Sequence, residues 1–311
     1  MKEGLYDLVI VGGGPAGLSC AIYAGRARLK TLVLERTALG GQLLFTEKIE
    51  NYPGFSEPIS SYKLAEEMKK QAEKFGIEFR EEEVIEIDVK GKEKIITTQV
   101  EGVYHALAVV IATGTRYKEL GVPGEIELVG KGVSYCGTCD GPLFQNKEIV
   151  VVGGGDTALE ETIFLSRFAK KIFLIHRRDK LRGTKILQEK VFYLPNVEIR
   201  WDSVVKEIKG REKVEGVIIN NLKSGKEEFV ICQGVFIFVG AKPQTEFIRG
   251  FIKLDEQGFV ITDEKLETSQ KGIFSCGDVR KNNLKQVVNA CAEGALAAIS
   301  AEKYIEEVKY G

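Results

Sequence analysis

The chain has 311 residues, of which 44% are hydrophobic and 29% charged, with a formal net charge of -1. That is enough apolar material for two cores, since domains run to about 100–200 residues each, and the balanced charge gives no electrostatic case for nucleic acid or an anionic membrane. Six cysteines scattered over this length do not make a secreted disulfide framework, so a reducing, cytoplasmic setting is expected.

In chain order, Asp7-Leu8-Val9-Ile10-Val11 reads as a buried parallel strand, followed by glycines and then by the helix-like run Leu18 to Ala24. Leu8 to Gly25 carries no charge for eighteen positions, close to a membrane span. Gly12, Gly13, Gly14 and Pro15 interrupt it, however, and Met1-Lys2-Glu3 lacks the charged-then-apolar order of a signal peptide. No membrane segment is expected. Thr31-Leu32-Val33-Leu34 is a second strand. Leu64, Met68, Ala72 and Phe75 stand at helical spacing and predict an amphipathic helix whose stripe is core. The acidic cluster Glu81-Glu82-Glu83 is read as a solvated edge.

The segment Ala106 to Thr115 reads as an apolar strand ending in Ala112-Thr113-Gly114, and Gly121, Pro123 and Gly124 follow as a linker. The opening pattern then repeats: Lys147 to Val152 is a strand, Gly153-Gly154-Gly155-Asp156-Thr157-Ala158 a turn, Leu159 to Leu165 a helix and Lys171 to Ile175 a second strand. Gly234 to Gly240, then Pro243, close this second unit. The expected fold is α/β, with two Rossmann-like dinucleotide-binding domains, the second inserted into the first. The boundaries are 1–115 and 244–311 for the discontinuous domain and 116–243 for the insert.

Each repeat carries a fingerprint between strand and helix, Gly12-x-Gly14-x-x-Gly17 and Gly153-x-Gly155-x-x-Ala158. The first glycine permits the turn, the second lets a pyrophosphate approach the backbone, and the third allows the helix to pack on the strand. Glycine triplets also serve as plain strand-to-helix turns, so the residue about 20 positions downstream, which touches the ribose, matters more. Counting 23 from Gly12 gives Glu35, a carboxylate that can accept from both ribose hydroxyls, as in FAD or NAD. The same count from Gly153 gives His176, followed by Arg177, Arg178 and Arg182. Guanidinium groups clamp phosphate oxygens, so this slot suits the 2′-phosphate of NADPH. His176 is read as packing on adenine or supporting the loop, without an acid-base role.

Between the two fingerprints lies Tyr135-Cys136-Gly137-Thr138-Cys139-Asp140. A Cys-x-x-Cys pair is the sequence form of thiol-disulfide exchange. It is also half of a structural zinc site, but no second such pair exists and His105 and His176 are not at ligand spacing, so no metal is expected. A passive sensor of nucleotide ratio would need both fingerprints but not the cysteines. Cys20, Cys232, Cys276 and Cys291 are read as small buried residues.

The ordered set of Gly12 to Gly17 with Pro15-Ala16, Gly40-Gly41-Gln42-Leu43, Glu50-Asn51-Tyr52-Pro53-Gly54, Ala112-Thr113-Gly114, Cys136 to Asp140, Gly153 to Ala158, His176-Arg177-Arg178-Asp179 and Gly277-Asp278-Val279 resembles the thioredoxin reductases of the low-molecular-weight flavoprotein type, over nearly the whole chain. The resemblance implies tightly but non-covalently bound FAD held by the first and last segments. The residues so implied are Gly12, Gly14, Pro15, Ala16, Gly17, Glu35, Arg36, Gly41, Gln42, Asn51, Ala112, Thr113 and Gly277. Asp278 would reach the ribityl chain, with Lys285, Gln286 and Val287 beside the isoalloxazine. NADPH, as co-substrate, would meet Gly153, Gly155, Asp156, Thr157, Ala158, His176, Arg177, Arg178 and Arg182. Cys139 would lie nearer the flavin, Cys136 would attack the partner disulfide, and Asp140 would protonate the departing thiolate. Thioredoxin or a similar small dithiol protein is the implied acceptor, with a homodimer as the assembly and the small domain rotating about hinges near Gly114 to Lys118 and Gly240 to Thr245. A relative serving a glutaredoxin-like, peroxiredoxin-type or ferredoxin-linked acceptor is the alternative. Two departures stand out: Asp156 where Asn is frequent, and Lys285 where Arg is.

Overall fold

The computed structural model describes residues 4–45, 48–281 and 284–311. The chain divides into two compact units: one takes in the chain up to Leu44, Lys48–Arg116 and Lys242–Gly311, and the other is built on Tyr117–Ala241. Each is an α/β layer structure on a parallel sheet, and both follow the same plan.

In the first unit the strand Leu5–Val11 lies between Thr31–Glu35 and Val103–Ile111, parallel to both. Glu78–Glu81 extends one side, and Ile273–Ser275 joins the far half of Val103–Ile111 on the other. The near half of that same edge pairs antiparallel with Glu93–Thr98, which pairs with Val84–Lys90. From Leu8 to Val11 the opening strand is apolar because both of its faces are covered. Leu8 and Ile10 face a core shared with Cys20, Ala21, Ala297 and Ala301 of the helices Pro15–Arg26 and Val287–Tyr310, whereas Val9 and Val11 face Ile87, Ile96, Ile248 and Val260. The two helices approach closely because the contact is made of small residues; a Cβ added to Gly294 would stand 2.1 Å from the Ala16 carbonyl oxygen.

The second unit repeats this around Glu148–Gly153, flanked in parallel by Lys171–Ile175 and Gly234–Phe238, with Val197–Arg200 and Val133–Ser134 outermost. Ile149 and Val151 face the side of Leu159, Leu165 and Val191, from the helices Asp156–Leu165 and Lys185–Phe192. Val150 and Val152 face the three-stranded antiparallel sheet of Ser203–Gly210, Val214–Asn221 and Glu227–Ile231.

The chain departs from the sequence reading at two places. The helix of the 64–75 stripe spans Ser61–Glu73 and buries Leu64, Met68 and Ala72, but Phe75 lies beyond its end, 39% exposed; Gly76 at φ +76° turns the chain there. The strand entering Ala112 stops at Ile111. The two segments expected as hinges run side by side: Thr115–Tyr117 and Ala241–Pro243 form a two-stranded ladder, bordered by Lys118 N–H to Gly240 O at 2.9 Å and Gln244 N–H to Gly114 O at 3.0 Å. Gly114 at φ +66° and Gly240 at φ +116° take backbone conformations that side chains disfavour.

Candidate functional site

The first fingerprint is built as the spacing requires. Gly12 at φ +109° has its missing Cβ 2.4 Å from Ala112 O, so no other residue fits beneath the crossing. A Cβ on Gly17 would stand 1.9 Å from Gly12 O, which is why the helix can start this close to the strand. Gly14 differs: its nearest neighbour in that direction is the Cα of Gly41 at 3.9 Å, leaving space at the helix start where a phosphate can meet backbone N–H groups. Pro15 opens the helix and needs no acceptor.

Other predicted residues gather around this turn. The Glu35 carboxylate accepts from Gly13 N–H at 2.7 Å and Thr37 N–H at 3.1 Å, a fixed group with lone pairs left for hydroxyl donors. Gly40 N–H donates to Gly13 O at 2.9 Å, bringing Gly41 against Gly14. Gln42 Nε2 donates to Thr115 O at 2.9 Å and Thr115 Oγ1 at 2.8 Å. Ala112 N–H donates to Val11 O, and Thr113 Oγ1 donates to Gln244 O at 2.8 Å. Gly277, at φ +75°, packs with its missing Cβ 2.8 Å from that of Ala16. Asn51 Nδ2 donates to Gln286 Oε1 at 3.0 Å, joining two predicted residues 235 apart in sequence. Arg36 Nη1 lies 4.0 Å from Glu83 Oε1 of the acidic cluster.

Burial pushes the Asp278 carboxyl up to about 6, with Lys285 opposing and Glu293 adding. Burial likewise lowers Lys285, countered by Asp278, and its ammonium lies 4.3 Å from the Phe259 ring centroid. Val287 is the first residue of the last helix. An unpredicted ion pair fixes this corner: Arg280 Nη1 to Glu293 Oε1 at 2.7 Å, with Glu293 Oε2 also accepting Gly277 N–H at 2.8 Å. No spacing rule points to that pair; sheet and helix bring it together.

The second fingerprint differs in detail. Gly153 leaves no room for a side chain, with Ala158 Cβ 2.5 Å and Phe238 O 2.6 Å from its missing Cβ, whereas nothing lies within 4 Å of that point on Gly155. The loop bearing the arginines is tied to this turn by Arg182 N–H and Gly183 N–H, which donate to Gly154 O at 2.7 and 3.1 Å. His176 is buried beneath, Nδ1 2.9 Å from Gly153 O and Nε2 3.0 Å from Lys180 O. Burial lowers its pKa, with Arg182 and Arg178 adding, and a neutral ring donates to only one of the two carbonyls. It supports the loop. Asp156 Oδ1 accepts Thr184 N–H at 2.7 Å, so the carboxylate turns to the start of a different helix, not its own. Thr157, like the guanidinium-bearing Arg177, Arg178 and Arg182, is exposed. None of these three arginines has a carboxylate within ion-pair distance among the described residues. An unpaired cationic cluster beside an open glycine turn fits a phosphorylated nucleotide.

In this same unit Cys136 and Cys139 are joined in a disulfide across the short helix Gly137–Asp140. Cys139 N–H donates to Cys136 Sγ at 3.2 Å, and Thr138 Oγ1 lies 3.5 Å from it. Asp140 is buried at the end of the turn. Two partners escaped the sequence reading. The fully buried Glu125 accepts N–H groups of Leu120 and Gly121 and the Tyr135 hydroxyl at 2.8 Å, anchoring the residue before Cys136. Glu161 reaches the turn from the helix Asp156–Leu165. The remaining thiols are buried, apart from the half-buried Cys291, and burial raises the pKa of each.

Residues 6–294 match the family of pyridine nucleotide-disulphide oxidoreductases. The chain is 44% identical to a thioredoxin reductase of Peptoclostridium acidaminophilum, covering 98% of both chains. It is equally identical to that of Bacillus subtilis strain 168, over 99% of this chain and 97% of the relative. Among solved structures, a thioredoxin reductase from Streptococcus pyogenes has a TM-score of 0.94 at 44% identity, covering 98% of this chain and all of its own. One from Lactococcus lactis, described as an FR conformation, has a TM-score of 0.68 at 42% identity, with 97% and 99% covered. With a disulfide and two dinucleotide turns arranged as above, the chain belongs to the thioredoxin reductases, within the pyridine nucleotide-disulphide oxidoreductases.

Proposed function

We propose that this protein reduces the disulfide of thioredoxin or a similar small dithiol protein at the expense of NADPH, through FAD and the Cys136–Cys139 pair. The observation that carries this is the joining, in one unit, of a redox disulfide to a nucleotide turn flanked by three unpaired guanidinium groups. FAD, when bound, takes a hydride from NADPH and returns two electrons to a disulfide.

The first unit, at boundaries 1–115 and 244–311, would hold FAD through the open Gly14 turn, with Glu35 at the ribose and Gly41, Ala112, Gly277 and Asp278 lining the approach. The insert, 116–243, would hold NADPH, with Gly155 at the pyrophosphate and Arg177, Arg178 and Arg182 at the 2′-phosphate. His176 holds the loop, and Asp156 leaves the phosphates free by bonding to Thr184. Cys136 is the sulfur that attacks the partner: the Cys139 N–H and Thr138 hydroxyl beside it favour its thiolate. Asp140 supplies the proton to the departing thiolate.

Alternation of the two half-reactions would come from rotation of the insert about Gly114 and Gly240. Solved relatives of nearly equal identity, 44% and 42%, with TM-scores of 0.94 and 0.68, support such rearrangement within the family. A homodimer is the proposed assembly, formed through exposed Tyr23, Tyr62, Leu296 and Ile299 on helices of the first unit. Among the described residues no helix is long and apolar enough to cross a membrane; a cytoplasmic location is part of this reading.

An NADPH titration of the flavin-loaded protein, with and without thioredoxin, tests it. Flavin bleaching followed by stoichiometric thiol formation on thioredoxin is the expected result. Bleaching without transfer to any small dithiol protein overturns the acceptor, and no bleaching overturns the reductase.

A further inference from the structure

Glu161 is a half-buried carboxyl of the second unit to which the reaction above gives no work. It projects from the helix Asp156–Leu165 onto the turn that carries the disulfide: a Cβ on Gly137 would stand 2.0 Å from Glu161 Oε2, so a side chain there would have to displace the carboxyl. Oε2 is buried and has no well-formed hydrogen bond among the described residues. Burial pushes this carboxyl up to about 7, with Glu160 adding and the Gly137 and Thr138 amides opposing. A carboxyl with one oxygen buried against the two residues between the cysteines feels any charge that develops on the sulfurs.

We propose that Glu161 is a positioning residue for the redox turn, whose proton sets how readily the reduced Cys136–Cys139 pair carries a thiolate. In the oxidised turn the carboxyl shares its space with two amides and no charged sulfur. On reduction the S–S bond breaks and two electrons enter from the reduced cofactor. One sulfur takes a proton from solvent and becomes a thiol; the other is left as a thiolate. A second solvent proton is then held on Glu161, so the turn does not carry two adjacent negative charges. Ionised Glu161 opposes the thiolate and protonated Glu161 permits it. The charged group acting on this carboxyl is Glu160, on its own helix; the two cysteines and buried Asp140 belong to the same turn as the Gly137 and Thr138 amides it meets.

This rests on the redox reading of the pair, but its test needs neither nucleotide nor acceptor protein. In full-length, flavin-loaded Cys139→Ser, which leaves Cys136 as the one thiol of the turn, the rate of Cys136 alkylation by iodoacetamide is followed from pH 5 to 10 by mass spectrometry. A two-step profile is expected, one step from Glu161 and one from the thiol. Adding Glu161→Gln should collapse it to one step and raise the rate at mildly alkaline pH about threefold or more. Glu161→Asp should restore two steps. A single-step profile with Glu161 intact, or one that Glu161→Gln leaves superimposable, overturns the proposal. Because the single-step outcome is read on the Glu161 protein itself, poor folding of either variant does not protect the idea. Failure to reduce thioredoxin alongside a two-step profile would count against the acceptor and not against Glu161.

Discussion

The two units are one architecture used twice, and they differ where a nucleotide would be chosen. In both, a parallel strand whose last residues are apolar and buried runs into a glycine turn; the first glycine of each fingerprint cannot carry a side chain and the second faces open space. In the first unit the next strand ends in a carboxylate held by Gly13 and Thr37. In the second it ends in a buried imidazole that braces a loop of unpaired arginines. The phosphate cradle depends on backbone geometry, so it survives duplication almost unchanged; the selecting group is a side chain and can change sign without disturbing the sheet.

Removing the feature that one unit has and the other lacks should have the largest effect. Cys136→Ser is expected to lower reduction of a protein disulfide by about 10³-fold or more while NADPH still bleaches the flavin at its original rate, measured by stopped-flow absorbance. Next comes a test of the two glycine turns against each other. Gly17→Ala places a methyl 1.9 Å from Gly12 O and should cost about 2–3 kcal/mol in urea unfolding and release flavin. The matching position of the second unit already carries Ala158, so the two helices are not interchangeable at that point.

A smaller effect is expected at the selecting slot. Arg177→Ala with Arg178→Ala should raise KM for NADPH about 10–100-fold and leave that for NADH within about twofold, measured by steady-state kinetics. Equal losses for both coenzymes would erase the contrast between the units. The smallest effect is on stability. Glu161 titrates from about 7 in the folded chain, above its ordinary 4.5. As pH rises from 4.5, the unfolded chain ionises this group first, so the stability present at low pH is lost by about pH 7. Glu161→Gln should therefore stabilise the protein at pH 8 relative to pH 5 by about 1–2 kcal/mol, read from urea midpoints at the two values.

Much of this was legible in the residues because it is local. Gly17 is demanded by its contact with Gly12, and Gly153 in part by Ala158, within one strand-turn-helix unit, although Gly12 and Gly153 also meet Ala112 O and Phe238 O from outside it; alternation of Leu8 and Ile10 against Val9 and Val11 follows from the period of a strand. Phe75 was misplaced because a helical stripe does not reveal where the helix stops; the stop is set by Gly76. The pairing of the two hinge segments was not legible, because glycine marks a bend but not what lies alongside it, and here two crossings far apart in sequence pair with each other.

By itself the sequence determined two α/β dinucleotide units, the carboxylate-against-arginine contrast and a redox pair between the fingerprints, all of which rest on short-range spacing. Only the tertiary structure decided what surrounds them: Glu293 holding Arg280 and Gly277, Glu125 holding Tyr135, Asp156 turned to Thr184, and Glu161 pressed on Gly137. Each joins residues with no fixed offset, and buried polar groups find partners wherever the packed elements deliver them.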